Sequence, residues 1–125
     1  GALDPQTRAR IALAVAQING CDYCLSAHTY LGKNIAKLDD AEIAANRNGA
    51  STDQKADAAV RFAVALVKNR GQVSEGDVSA AKLAGYSEAE LVEIVAHVAL
   101  NTLTNYLNEA FDTPIDFPVV NASAA

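Results

Sequence analysis

The chain has 125 residues, enough for one domain spanning residues 1–125. Half of them are hydrophobic, aromatics are few and tryptophan is absent, so the core must be built from Ala, Val, Leu and Ile, a composition that suits closely packed helices. A net charge of −5 without a basic stripe argues against nucleic acid as a partner, and no apolar run approaches the ~20 residues that span a bilayer.

The helix punctuation reads in chain order. Asp4-Pro5 is a cap followed by proline at the first helical position. Ile11, Val15 and Ile18 then recur on one apolar face, and Asn19-Gly20 ends the helix. A second helix is predicted from about Cys21 to about Ile35. A third starts at Asp39 or Asp40, carries Ile43 and stops before Asn48-Gly49. Ser51 with Gln54 reads as a capping box for a longer helix through Val60, Val64 and Val67, ended by Gly71. Ser74 with Asp77 caps a short helix to about Ala84. Ser87 with Glu90 opens the longest, from about Glu88 to Phe111.

That last helix has two apolar stripes, one of Leu91, Ile94, Val95 and Val98 and another of Leu100, Leu103 and Leu107. It is therefore expected either to be the central helix, buried on most sides, or to turn its second face to another subunit. After Pro114 the chain is irregular, and residues 119–125 are expected to be disordered. Ile115, Phe117 and Val119 alternate, so part of the tail can pack as an extended arm. Strand signals are nearly absent, and the expected class is an all-α, compact multi-helix domain.

Chemistry concentrates in Cys21-Asp22-Tyr23-Cys24-Leu25-Ser26-Ala27-His28. On a helix starting at Cys21, the two cysteines and His28 stand at i, i+3 and i+7 and share a face. The helix N-terminus favours negative charge. Together with a neighbouring imidazole it can lower a thiol pKa from about 8.5 to roughly 3.5–7.5. A thiolate that attacks a peroxide becomes a sulfenic acid, which a second nearby thiol converts to a disulfide. The pattern thus marks Cys21, Cys24 and His28 as catalytic candidates. Asp4, Arg8 and Arg10 interrupt any apolar leader, so the expected compartment is the reducing cytoplasm, where an isolated C-x-x-C is redox-active or metal-binding.

Rival readings use the same residues. Zinc takes four ligands in a structural site, and Cys21, Cys24 and His28 supply three, with His97 as the one remaining histidine. A zinc-binding or redox-sensing interaction module is therefore the alternative class. His97, Asn101 and Asn105 on the last helix are expected to be structural, and Tyr23 to pack, with cover over the cysteines as its alternative role. No organic cofactor and no metal are assigned, and no nucleotide motif occurs.

The run Leu13-Ala14-Val15-Ala16-Gln17-Ile18-Asn19-Gly20-Cys21-Asp22-Tyr23-Cys24-Leu25-Ser26-Ala27-His28 resembles the carboxymuconolactone decarboxylase family, more closely its alkylhydroperoxidase D-like, peroxidase-related branch. The stretch Ile94-Val95-Ala96-His97-Val98-Ala99-Leu100-Asn101, with Thr104-Asn105-Tyr106, is similar to that family's last helix. The resemblance covers about Leu3 to Pro118. It implies an all-helical homo-oligomer, commonly a trimer or hexamer, that reduces hydroperoxides. Cys24 would be the attacking thiol, Cys21 the resolving thiol and His28 part of a proton relay. A lipoylated or thioredoxin-like protein would serve as reductant. The branch carries a Glu twelve residues before the first Cys, where this chain has Ala9 between Arg8 and Arg10. Asp4, Glu42, Glu90 and Glu93 are the candidates to replace it through space. A lactone decarboxylase-like activity is the remaining alternative, although the dithiol has no evident use in that reaction.

Overall fold

The computed structural model describes residues 1–124. Among these residues it contains six α-helices, one short 3-10 turn and no strand. The helices are α1 (Pro5–Asn19), α2 (Asp22–Asn34), α3 (Asp40–Arg47), α4 (Gln54–Lys68), α5 (Glu75–Leu83) and α6 (Glu88–Ala110).

Most boundaries follow the side chains that satisfy the first free backbone N–H groups of each helix. The Asp4 carboxylate accepts from the Thr7 N–H at the start of α1, with Pro5 in the first turn. Gly20 closes α1 in the left-handed region, at φ 71°, where a Cβ is disfavoured. Ser74–Asp77 and Ser87–Glu90 are reciprocal capping boxes. The start of α4 differs from the expectation. Asp53 is its cap, accepting from the Ala56 N–H, while the Ser51 hydroxyl donates to the Glu42 carboxylate. A carboxylate one residue before Gln54 caps directly and leaves the serine free for a stronger, charged acceptor.

The central helix is α1, not α6. It packs against α2, α3, α4 and α6, and its middle turns, Ile11 to Ala16, are buried without interruption. Ala12, Ala14 and Ala16 keep three of those positions small, so neighbouring helices approach closely on several sides. By contrast α6 buries a single stripe, Leu91, Ile94, Val98, Asn101 and Asn105. Val92, Val95, Leu100, Leu103, Tyr106 and Leu107 on its other sides are exposed.

Two apolar clusters flank α1. One joins Ile11 and Val15 to Phe62, Leu66, Leu91, Ile94 and Val98 of α4 and α6. The other joins Leu13 and Ala16 to Cys21, Cys24, Leu25, Leu38 and Ile43. Each fully buried Leu, Ile or Val adds roughly 1.5–3 kcal/mol; the first cluster holds α4 and α6 against α1, and the second holds α2 and α3 against it.

The tail runs back against the helices and ends in the 3-10 turn Ala122–Ala124, and Ala125 lies outside the described residues. Its backbone is tied to α2 and α1. The Ser26 hydroxyl donates to the Val120 carbonyl and accepts from the Val120 N–H, and Asp22 accepts from the Ala122 N–H. Gln17 donates to the Ala122 carbonyl and Arg47 to the Asn121 carbonyl. The small residues of this segment lack large apolar side chains, but their peptide groups find buried polar partners, which no hydropathy pattern reveals. No helix of the described residues is long and apolar enough to cross a membrane.

Candidate active site

The Gly20 turn carries the chain from α1 into α2, and the Cys21 N–H donates to the Ala16 carbonyl across it. Cys21 is therefore the cap of α2 and not its first residue. Its sulfur accepts from the Cys24 N–H at 3.2 Å. The Cα atoms of Cys21 and Cys24 are 5.3 Å apart and the two sulfurs stand at disulfide-bonding distance. Both residues are buried, Cys21 completely and Cys24 to within 3 % of full burial. The N-terminal dipole of α2 thus acts on both sulfurs, and it favours whichever is thiolate in the reduced protein.

Across from α2, α6 supplies a contact that the sequence pattern did not single out. The Asn108 side-chain amide donates to the Cys24 sulfur at 3.5 Å and to the Thr104 carbonyl at 2.9 Å. The Thr104 carbonyl also lies 3.8 Å from the Cys24 sulfur. Asn108 stands a turn beyond Asn105 on a helix whose asparagines recur with helical spacing, and that recurrence is the signal that could have found it. Asn101 donates to the His97 carbonyl, and Asn105, fully buried, accepts from Asn19. Tyr23 packs edge-on against Phe117 of the tail, with ring centroids 6.0 Å apart, and borders the cysteine cluster.

His28 follows Cys24 by one turn of α2 and is half-buried. Among the described residues no hydrogen bond joins it to either sulfur. Its ring instead lines a pocket of about 230 Å³ with Pro5, Ala9, Leu31, Gly32, Ile35 and Ala36. Burial in these apolar walls holds the imidazole pKa below its ordinary value, so the ring is neutral near pH 7.

Ala9 therefore faces His28 across that pocket, and no carboxylate lines it. The four candidates to replace one are engaged elsewhere. Asp4 caps α1 and Glu90 caps α6. Glu93 accepts from the Leu3 N–H and lies 3.9 Å from the N-terminal ammonium. Glu42 is buried and accepts from Arg10, Ser51 and Thr52, which hold its pKa down at about 2 against the penalty of burial. Asp22, the carboxylate next to the dithiol, binds the tail. Among the described residues no group of three or more His, Cys, Asp or Glu side chains is placed to hold a metal ion.

Comparison with known proteins agrees with this architecture. The chain matches solved structures over most of its length. One is a peroxidase-related protein from Silicibacter sp. TM1040, with a TM-score of 0.79, 20% identity and 96% of this chain covered. Another is the debrominase Bmp8, without ligand (TM-score 0.77, 22% identity, 91% covered) and as a cysteine-to-alanine variant in complex with 2,3,4-tribromopyrrole (TM-score 0.77, 21% identity, 91% covered). At these identities the likeness is one of fold. The chain spans 62% of the length of each of these proteins. No curated protein matches it. Residues 1–69, which include α1, the dithiol, α2 and α3, match the model of the carboxymuconolactone decarboxylase family, and the chain belongs to that family.

Proposed function

We propose that the protein is a thiol-dependent peroxidase that reduces hydroperoxides through a Cys21–Cys24 dithiol–disulfide cycle. The observation that carries this reading is a pair of buried sulfurs at bonding distance on the N-terminus of α2, with the Asn108 amide aimed at one of them. Cys24, as thiolate, attacks the terminal oxygen of ROOH. The O–O bond breaks, Cys24 becomes the sulfenic acid and the alkoxide leaves. Neutral His28 takes the proton of the Cys24 thiol and returns it to the alkoxide, giving ROH. Cys21 then attacks the Cys24 sulfur, the S–O bond breaks and water departs. The peroxide has gained the two electrons that the two thiols lost. A dithiol reductant, lipoylated or thioredoxin-like, restores the thiols by exchange.

The exposed apolar residues of α6 support a homo-oligomer in which a second copy covers Leu100, Leu103 and Leu107, and the family resemblance implies a trimer or hexamer. A reducing, cytoplasmic setting suits a dithiol that must be re-reduced each turnover.

The test treats the reduced protein, Cys21→Ser and Cys24→Ser with cumene hydroperoxide and follows the sulfurs by mass spectrometry. A rapid intramolecular disulfide in the parent, with a sulfenic acid trapped on Cys24 when Cys21 is absent, supports the cycle. Thiols that react no faster than free cysteine would remove it in favour of a redox-sensing module. Loss of one zinc ion per chain on chelation would favour the zinc-binding alternative, and lactone decarboxylation that survives loss of both sulfurs would favour a decarboxylase. The same assay with 2,3,4-tribromopyrrole asks whether the dithiol also delivers two electrons to a carbon–bromine bond, the chemistry that the name of the debrominase implies for that protein.

A further inference from the structure

A cleft of about 530 Å³ opens where the ends of α1 and α3 meet α4. Ile18, Val64 and Ala65 give it apolar walls, and Arg47, Arg61 and Lys68 bring three cations to it. Gly49, at φ 79°, lets the chain after α3 close against Val64, where a Cβ would stand 3.3 Å from that side chain. The volume falls within the roughly 300–1,000 Å³ of small-molecule sites. No carboxylate lines the cleft. Among the described residues Arg61 alone of the three cations has an acidic partner, Asp57 at 2.6 Å. The Arg61 side chain is 66 % exposed, so that pair is weak and exchanges readily. The C-terminal dipoles of α3 and α4 offset roughly half a charge each. A positive surplus therefore remains here, in a chain whose net charge is −5.

Arg47 joins this cleft to the dithiol. Its Nε donates to the Gln17 side-chain oxygen at 2.8 Å, and a terminal nitrogen donates to the Asn121 carbonyl at 3.1 Å. Gln17 in turn donates to the Ala122 carbonyl at 2.6 Å. Val120 and Ala122 pack against the cluster that contains Cys21 and Cys24. A guanidinium has more N–H donors than these two bonds use, and the rest are left for a ligand in the cleft.

We propose that the cleft binds a small organic phosphate, and that the bound phosphate locks the tail over the dithiol. Two guanidinium forks and an ammonium match the oxygens of a phosphate monoester and its charge of about −1.5 to −2 at pH 7. Ile18, Val64 and Ala65 take its organic group. A neutral alcohol of the same shape leaves the cations unpaired. The phosphate fixes Arg47 in the position from which it holds Gln17 and Asn121, so the tail opens less often and reductant reaches the sulfurs less often. By linkage, the docked tail tightens phosphate binding by the same factor. The inference goes beyond the peroxidase reading and needs only the Cys21–Cys24 disulfide.

Phenyl phosphate is the probe, titrated by calorimetry into the full-length disulfide form, with phenol and inorganic phosphate as controls. Saturable binding of phenyl phosphate is expected, with inorganic phosphate several-fold weaker and phenol not binding. Arg61 and Lys68 are exposed, so Arg61→Gln combined with Lys68→Gln is expected to weaken binding at least tenfold with the melting temperature unchanged. Saturating phenyl phosphate is expected to slow reduction of the disulfide by dithiothreitol several-fold in the parent and not in the double variant. No saturable binding, or binding that the double variant retains, overturns the site. Phenol or inorganic phosphate binding as tightly as phenyl phosphate overturns the ligand class. Binding that leaves the reduction rate unchanged overturns the lock. These readouts follow the disulfide and not peroxide, so a protein that consumes no peroxide loses the peroxidase reading and keeps this one.

Discussion

Asn108 of α6 donates its side-chain amide to the sulfur of Cys24 on α2, 84 residues away in sequence. The donor has a second acceptor, the Thr104 carbonyl one turn back, which fixes the amide with its nitrogen toward the sulfur. A thiolate gains more from this donor than a thiol does, because hydrogen bonds to charged groups contribute roughly 1.5–3 kcal/mol against about 1 for neutral pairs. The Thr104 carbonyl, 3.8 Å from the sulfur, acts in the opposite direction by accepting from the protonated thiol.

Asn108→Leu should therefore raise the Cys24 pKa. The measurement is the pH dependence of alkylation of reduced Cys24 in a Cys21→Ser background. Asn108→Asp should raise it further, because it places a like charge beside the thiolate. An alkylation profile unmoved by both changes would mean that the amide positions α6 and does not act on the sulfur.

Ala9 and His28 share a pocket with no carboxylate in it, and this has a consequence for pH. Burial lowers the His28 pKa from its ordinary 6.5. The unfolded chain then binds more protons than the folded one as pH falls through about 6.5. His28 thus costs the fold stability on the acid side and none above that range. Ala9→Glu puts an anion beside the ring and should raise the His28 pKa, observable by NMR titration. Stability below pH 6.5 should recover relative to the parent. Peroxide turnover at pH 7 should rise severalfold as the relay gains a proton acceptor.

How much of this was legible in the sequence depends on the range of the interaction. Local signals read correctly: Asp4-Pro5, Ser74–Asp77 and Ser87–Glu90 mark helix starts because each cap acts within three residues. Cys21 caps α2, whose first turn carries Cys24. What failed was non-local. The capping role of Ser51 went to Asp53 because Glu42, from another helix, claims the serine hydroxyl. The centrality of α1 was hidden by its alanines, which score as weakly apolar yet are buried through close packing. The Asn108 contact and the docking of the tail on Ser26 join residues 84 and 94 positions apart, and no periodicity encodes them.

The tail gives a third prediction. Ser26 is fully buried, and its hydroxyl has the Val120 peptide as both acceptor and donor. Ser26→Ala leaves that N–H and carbonyl without their partner, at a cost of about 1–3 kcal/mol for buried groups. Ending the chain after Pro118 removes the same contacts together with those of Asp22, Gln17 and Arg47. Because Val120 and Ala122 pack against the cysteine cluster, both changes should speed reduction of the Cys21–Cys24 disulfide by dithiothreitol, the truncation more. Thermal unfolding and the reduction rate check the two halves separately. A lower melting temperature with an unchanged reduction rate would show that the tail braces the fold without shielding the sulfurs.

Glu42 carries the acid limb of the stability curve. Its carboxylate is buried on α3 and accepts from the Arg10 guanidinium, the Ser51 and Thr52 hydroxyls and the Thr52 N–H. Desolvation alone would raise its pKa, but these donors outweigh it and hold the group at about 2, against an ordinary 4.5. A depressed folded-state pKa contributes stability that is fully present above the unfolded value and is lost as pH falls through the folded one. The window is therefore pH 4.5 down to 2, and the full contribution is on the order of 3 kcal/mol at neutral pH. Glu42→Gln keeps the shape but offers a weaker acceptor and leaves Arg10 without its counter-charge. It should destabilise the protein by roughly 3 kcal/mol at pH 7 and flatten the loss of stability between pH 4.5 and 2. Urea unfolding of parent and variant at pH 7, 4.5 and 3 measures both effects. Curves that stay parallel across those three pH values would place the acid sensitivity of the fold elsewhere.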